Sequence, residues 1–350
     1  MRPFRDRDFI ETYEGMFFCV IGNVHPTDRV ISYLKYIPSD LGLWGRSRKY
    51  DRILKSYTTI SVKEVLNFLK KNFPQYVGEL NAMGLEMITV PVKNIKTHFK
   101  PEIRLKELYG ESIERLDALE RKTIELVNLL SKASVIPIEC FGVTGSILLK
   151  IHNPSFSDVD LTVYGRVNAS KIKNTLIKLK EDGSIQWLKG LEFDNWAYNK
   201  AKQYRLNLKD AWEICRRVWN RGFYEGVEFS IHPVKSENDA SERYGDVIYR
   251  PLSGLAKIKA IIIDVEDSYF MPASYKVSDV EFLRGIPVED LTEIVTYEGF
   301  YAGILNEGEA VEAVGKLESV LDRRIGKKYH RLVVGSFEAE CSDYIKPIEG

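Results

Sequence analysis

Two aspartates interrupt what is otherwise a buried-strand pattern in the stretch GVTGSILLKIHNPSFSDVDLTV, residues 142–163. Side chains alternate along a strand, so Asp158 and Asp160 share one face while Val159, Leu161 and Val163 share the other. Aspartate is depleted from strands, and two like charges on one face repel, so the pair calls for a cation. Hard carboxylate oxygens at i and i+2 suit Mg²⁺. Upstream, Gly145 and Ser146 end one strand and open a helix that begins ILLK. Backbone N–H groups, a hydroxyl and the positive end of a helix meet there, which are the parts of a phosphate site. Together the two features describe a seat for a metal-bound triphosphate. The plainer alternative is a Gly-Ser turn beside an edge strand whose aspartates face water.

The elements that must hold these residues are legible as periodicities. Apolar residues at helical spacing predict one long amphipathic helix over 105–130. The run IPIECFGV that follows reads as a strand leading into Gly145. Helices are expected over 62–73, near 170–180 and, strongly basic, near 208–221, with strands at EMITVPV (86–92) and VEFSIHPV (227–234). In the last strand Val227, Phe229 and Ile231 take one face, and Glu228, Ser230 and His232 the other.

Thr144-Gly145-Ser146, eleven intervening residues and then Asp158-Val159-Asp160-Leu161 resemble the signature of the DNA polymerase beta-like nucleotidyltransferase superfamily. The order of helix, strand, Gly-Ser helix and aspartate strand is similar to that family's core, most of all to archaeal predicted nucleotidyltransferases with β-rich flanks. Thr144 departs from the apolar residue usual there, and Lys150 is the nearest cation in the gap. The resemblance implies an α+β fold: a nucleotidyltransferase core with a mixed sheet and flanking helices, plus β-rich N- and C-terminal modules. It implies two Mg²⁺ ions held by Asp158, Asp160 and a third carboxylate on an adjacent strand. Glu228 is the candidate, with Asp194 and Asp264 as alternatives, and His232 is either its neighbour or a structural histidine. Gly145, Ser146 and Lys150 would bind the nucleotide. The implied activity is transfer of a nucleoside monophosphate from an NTP to a hydroxyl acceptor, with RNA, protein and a small molecule all open. A catalytically inactive nucleotidyltransferase-fold protein with a nucleic-acid-binding or regulatory role is the rival reading.

At 350 residues the chain is long enough for several cores. Four blocks are expected: a β-rich module at 1–60, a connecting α/β segment at 61–103, the core at 104–240 and a β domain at 245–350. IETYEG at 10–15 recurs as IVTYEG at 294–299, and KYDRIL at 49–54 as KYHRLV at 328–333, with Lys35 and Lys316 between. Each copy reads as a three-stranded antiparallel unit, and their uncovered edges suggest that the two pack together. Lys plus Arg equals Asp plus Glu at 50 each, so any polyanion must find a local basic surface. Residues 264–322 hold fourteen acidic and three basic residues, whereas 45–55 and 200–221 are net basic. Four scattered cysteines argue against a zinc site. A charged N-terminus and the absence of a membrane-length apolar run predict a cytoplasmic protein with no membrane partner.

Overall fold

The computed structural model describes residues 2–240 and 242–348. Met1, Ser241 and residues 349–350 lie outside them, so the expected terminal modules are seen without their outermost residues. The fold is mixed α+β, with seven α-helices among the described residues. Two compact units divide the chain, each assembled from three stretches rather than from consecutive blocks.

The first unit comprises Met1–Lys55, Ile88–Trp187 and Trp219–Ser241. Its N-terminal sheet is antiparallel. Strand β1 (Phe9–Thr12) pairs with β2 (Phe17–Val20), β2 with β3 (Arg29–Pro38), and β3 with β4 (Tyr50–Arg52) and the end of β6 (Leu85–Pro91). Strand β7 (Ile95–Phe99) covers the other edge of β1. A second sheet runs in the order β10 (Arg221–Tyr224), β11 (Val227–Val234), β9 (Val159–Tyr164), β8 (Phe141–Val143). Strands β9 and β11 are parallel and the outer pairs antiparallel. A parallel neighbour needs a crossover, and α5 (Arg166–Glu181) follows β9 for this purpose. Its buried Ala169, Ile172, Leu176 and Leu179 recur at helical spacing, and the helix packs on both β9 and β11.

The long helix expected over 105–130 is two helices, α2 (Pro101–Gly110) and α3 (Ala118–Ser134). Gly110 ends the first, and Asp117 starts the second. The Asp117 carboxylate accepts from the backbone N–H groups of Leu119 and Glu120, while Glu120 reaches back to the N–H of Asp117, forming a capping box. Apolar spacing runs through the break because both helices bury one stripe, so periodicity alone does not show it. The strand expected from IPIECFGV is also shorter: a 3₁₀ turn occupies Ile138–Cys140, and β8 begins at Phe141.

The second unit comprises Ser56–Met87, Leu188–Val218 and Glu242–Gly350. Strands β12 (Val247–Asp264), β13 (Ala273–Arg284), β14 (Leu291–Thr296), β16 (Lys327–Val334) and β15 (Ala310–Asp322) close into a barrel through pairing of β15 back onto β12, and β17 (Tyr344–Pro347) adds to β15. Alternate residues of β12, Ala256, Ile258, Ala260 and Ile262, face its core. Phe193 and Ala197 of α6 (Gly190–Gln203), with Ile214 and Cys215 of α7 (Leu208–Arg217), join that core. Their apolar stripe has its partner on the barrel, which is why residues 188–218 leave the first unit although they sit between two of its strands in sequence. Helix α1 (Thr59–Asn72) and β5 (Val77–Leu80) belong to this unit too.

The two repeat copies fold differently. In the first, Tyr13-Glu14-Gly15 turns a hairpin between antiparallel β1 and β2. In the second, Gly299–Tyr301 is a 3₁₀ turn, and β14 pairs in parallel with β16. Within each unit the edges from which packing of the two copies is expected are already covered, β1 by β7 and β14 by β13. Glu14 is exposed, whereas Glu298 is buried and accepts from the N–H and hydroxyl of Thr59 at 3.0 and 2.7 Å.

Gly142 on β8 sits against the start of α2: a Cβ there would lie 2.6 Å from Thr162 Oγ1 and 2.7 Å from Pro101 Cβ. Gly142→Ala is therefore expected to lower stability by about 1–3 kcal/mol, as overpacking does. Urea unfolding of the two proteins, compared at equal slope, measures it.

Candidate active site

Strand β9 begins one residue after Asp158, so Asp158 stands at the mouth of the site and Asp160 inside it. The opposite face is core, with Val159, Leu161 and Val163 almost wholly buried. Pairing of β8 with β9 sets Val143 against Leu161, and the Thr144 N–H extends the ladder to the Asp160 carbonyl at 2.8 Å. The next residue is Gly145, with φ +67°, and a Cβ built on it would overlap Asp160 Oδ2. Glycine is thus required twice, for its backbone angle and for the approach to the carboxylate. Helix α4 (Gly145–Leu148) is a single buried turn, so what it presents is local N–H groups and the buried Ser146 rather than a long helix dipole. Arg104 of α2 steadies it: its Nε donates to the Ile147 carbonyl at 3.2 Å while Nη2 binds Glu120 of α3 at 2.5 Å. Thr144 also has a reason to be polar, because its hydroxyl donates to the Arg7 carbonyl at 2.7 Å.

The parallel register places Ser230 beside Asp160, and therefore Glu228 level with Asp158 one step earlier. Ser230 Oγ donates to Asp160 Oδ1 at 2.5 Å. His232 Nε2 lies 2.9 Å from Ser230 Oγ and 3.6 Å from Asp160 Oδ1. Burial pushes the His232 imidazole down to about 4, with Arg7 acting in the same direction, so the ring is neutral at pH 7. Glu228 is exposed, and Arg221 of β10 approaches it at 3.4 Å. Burial alone would raise the Asp160 carboxyl, but the nearby His232, the Lys35 charge and the Ser230 hydrogen bond outweigh it and hold the group far below the usual carboxylate range. The Asp160 charge, then desolvation, push Asp158 up to about 6; Lys35 opposes this and Glu228 adds to it.

Other sequence candidates go elsewhere. Lys150 is exposed and ion-pairs with Glu107 at 3.0 Å. Asp194 accepts from Trp212 Nε1 at 2.9 Å, and Asp264 from the Glu266 N–H at 2.8 Å; both belong to the second unit. In the basic run, Arg217 binds Glu213 at 2.8 Å and Glu309 at 2.9 Å, and Arg216 lies over the Trp212 ring. Sequence reasoning did not find Arg7, in the turn before β1, whose charge acts on His232, or Lys35 of β3, whose charge acts on both aspartates. A lysine inside the apolar run ISYLKYIP was the available sign.

Asp158, Asp160 and Glu228 carry hard carboxylate oxygens of the kind a divalent cation takes, but the three are not gathered within 4.8 Å of one another; Gly145 leaves Asp160 Oδ2 uncovered by any Cβ. Glu228 must turn from Arg221 to join. A tighter cluster, Asp117, Glu120 and His152 with ligand atoms within 4.8 Å of one another, occurs elsewhere in the first unit. Its carboxylates are already engaged in the α3 capping box, with Arg104 and Arg46, and with His152 Nε2 at 2.7 Å from Asp117. That cluster reads as structural. Among the described residues no helix is long and apolar enough to cross a membrane.

No family model and no solved structure matches the chain. The uncharacterized protein MJ1086 of Methanocaldococcus jannaschii is 32% identical over 354 aligned positions, which cover 98% of this chain and 98% of that protein. The chain belongs to that protein's family. The alignment with the MJ1086 protein thus extends over both compact units.

Because Asp158 binds its proton more tightly in the folded protein than in the unfolded chain, its contribution to stability is complete below the ordinary carboxylate range and is lost as pH rises through about 6. Metal-free protein is expected to lose stability between about pH 4 and 6.5 in excess of an Asp158→Asn variant, in which that slope is absent. Thermal melts of both across this range test the sign.

Proposed function

We propose that this chain is a divalent-metal-dependent nucleotidyltransferase, moving a nucleoside monophosphate from an NTP to a hydroxyl acceptor. The observation that carries the reading is the approach of Gly145, just past the end of β8, to Asp160 of β9, with Asp158 just before that strand and Glu228 on the parallel strand β11. The resemblance to the polymerase beta-like superfamily supports the same reading.

Asp158 and Asp160 would hold Mg²⁺, with Glu228 completing the set. When bound, Mg²⁺ supplies Lewis-acid polarisation of the attacking oxygen and neutralises phosphate charge. Ser146 and the N–H groups opening α4 would orient the triphosphate. The acceptor oxygen forms its bond to the α-phosphorus as the bond from that phosphorus to the α–β bridging oxygen breaks, and pyrophosphate carries the electron pair away. The acceptor's proton goes to a carboxylate, and Glu228, which is exposed, would take it. Ser230 and neutral His232 hold the Asp160 carboxylate in one orientation. RNA is the acceptor class to test first.

A binding-only protein is the second reading, favoured by the engagement of Glu228 with Arg221. Labelled NTP, Mg²⁺ and total RNA from the source cell distinguish the two. Wild-type protein is expected to transfer label, and Asp158→Asn or Asp160→Asn to reduce transfer by roughly a hundredfold or more. Glu228→Gln should lose turnover while retaining most NTP affinity, whereas Ser146→Ala should act mainly on that affinity. NTP binding by the wild type without any transfer supports the second reading, and binding of neither Mg²⁺ nor NTP overturns both.

A further inference from the structure

We propose that the loop around Trp44 and the turn around Phe156 form a binding surface for single-stranded nucleic acid, whose bases stack on the two rings while its phosphates meet Arg48 and Lys49. That the strand bound there is the acceptor rests on the function proposed above, whereas the binding itself does not.

Both segments belong to the first unit. Residues 39–49 connect β3 to β4, and Trp44 and Tyr50 close this loop by exchanging backbone hydrogen bonds at 3.2 and 3.0 Å. The loop is fastened to the stretch between Ser146 and Asp158, because the Gly45 N–H donates to the Ile151 carbonyl at 2.7 Å. Phe156, in that stretch, meets Trp44 edge to face with ring centroids 5.5 Å apart. Asn153 fixes the turn that carries it. The Asn153 carbonyl accepts from the N–H groups of Phe156 and Ser157 at 3.1 and 2.9 Å, and its own N–H donates to the Ser157 hydroxyl at 3.0 Å. Phe156 is nevertheless 49% exposed, so its ring keeps area for a planar partner. Its Cα lies at most about 7 Å from that of Asp158, two residues on.

The cations of the loop are unequally committed. Arg46 pairs with Asp117 at 3.0 Å. Arg48 donates to the Glu14 carbonyl at 3.3 Å and lies over the Tyr50 ring, and Lys49 donates to the Gly45 carbonyl at 3.0 Å. Both are exposed, and among the described residues neither has a carboxylate partner. Gly15 makes room for Arg48, since a Cβ there would lie 2.5 Å from the guanidinium nitrogens. The glycine of the first TYEG copy thus seats this cation.

Exposed rings beside unpaired cations suit a single strand, because every base has a face to stack and every phosphate a charge to neutralise. A duplex hides its base faces and would engage the cations alone. The other basic run offers less: in the second unit Arg217 is bound by Glu213 and Glu309, and Arg216 lies over Trp212. Leu41 and Leu43, exposed on the same loop, would also suit a second copy of this chain. A symmetric contact there would bring the like charges of Arg48 and Lys49 together, whereas a polyanion neutralises them.

The test is fluorescence anisotropy of a labelled single strand of about ten nucleotides, as RNA and as DNA, and of the same strand annealed to its complement. The full chain is used in EDTA without NTP. Wild type is expected to bind single strand more tightly than duplex, and the tighter of RNA and DNA names the source. Phe156→Ala should weaken single-strand binding roughly tenfold, and Phe156→Trp should keep it. Arg48→Gln combined with Lys49→Gln should flatten the slope of log affinity against log salt by about 1.4, since two cations no longer release counterions. Absence of single-strand binding by wild type, equal binding of strand and duplex, or wild-type affinity in Phe156→Ala overturns the inference. So does an unchanged salt slope in the double variant, or self-association in sedimentation that Phe156→Ala abolishes while nucleic-acid affinity stays the same. If Phe156→Ala does not fold, Phe156→Trp affinity and the salt slope still decide. Label transfer by a protein that binds no strand would overturn this inference and leave the proposed function standing; strand binding without transfer would support the inference and overturn only its link to catalysis.

Discussion

Two carboxylates sharing one face of a single strand repel at any distance a fold can give them, and the first unit is arranged around that constraint. Asp160 is held by hydrogen bonding from Ser230 on the neighbouring strand, with His232 behind it, while Asp158 is left at the mouth and meets the excess negative charge by binding protons more readily. The turn at Gly145 depends on the same carboxylate, because only a residue without a Cβ passes so close to its oxygen. Arg104 fixes the turn from one side, and Thr144 ties it to the N-terminal sheet from the other. A local electrostatic problem is thus distributed over α2, α3, α4, β1 to β3 and β11.

Interleaving of the chain follows from where apolar faces find partners. Helices α6 and α7 interrupt the path from α5 to β10, yet their buried stripe completes the core of the barrel. The N-terminal strands, distant in sequence from β8 and β9, pack through Phe9, Phe17 and Tyr36 against Leu148 and Leu149. Burial of such side chains contributes about 1.5–3 kcal/mol each, enough to override nearness in sequence as a guide to nearness in space. Neither separation is marked by a linker composition.

The repeat illustrates the limit of local similarity. Nearly identical TYEG segments make an antiparallel hairpin in one copy and precede a parallel pairing in the other. Tyr13 is 71% exposed, while Glu298 is nearly fully buried and bonded to Thr59. Turn-forming residues permit these outcomes without choosing between them. Strand partners choose, and they lie far along the chain.

By itself the sequence determined the α+β class and which side chains of β9 and β11 share a face, because side-chain alternation and glycine stereochemistry are local properties. It also carried helices α1, α5 and α7 to within a few residues. The break between α2 and α3 was less visible, since an apolar stripe continues through a capping box. Only the tertiary structure decided that the Arg7 carbonyl meets Thr144, that Lys150 turns to Glu107, and that 188–218 belongs to the second unit. These depend on long-range packing and on charge compensation between segments, which no window of sequence contains.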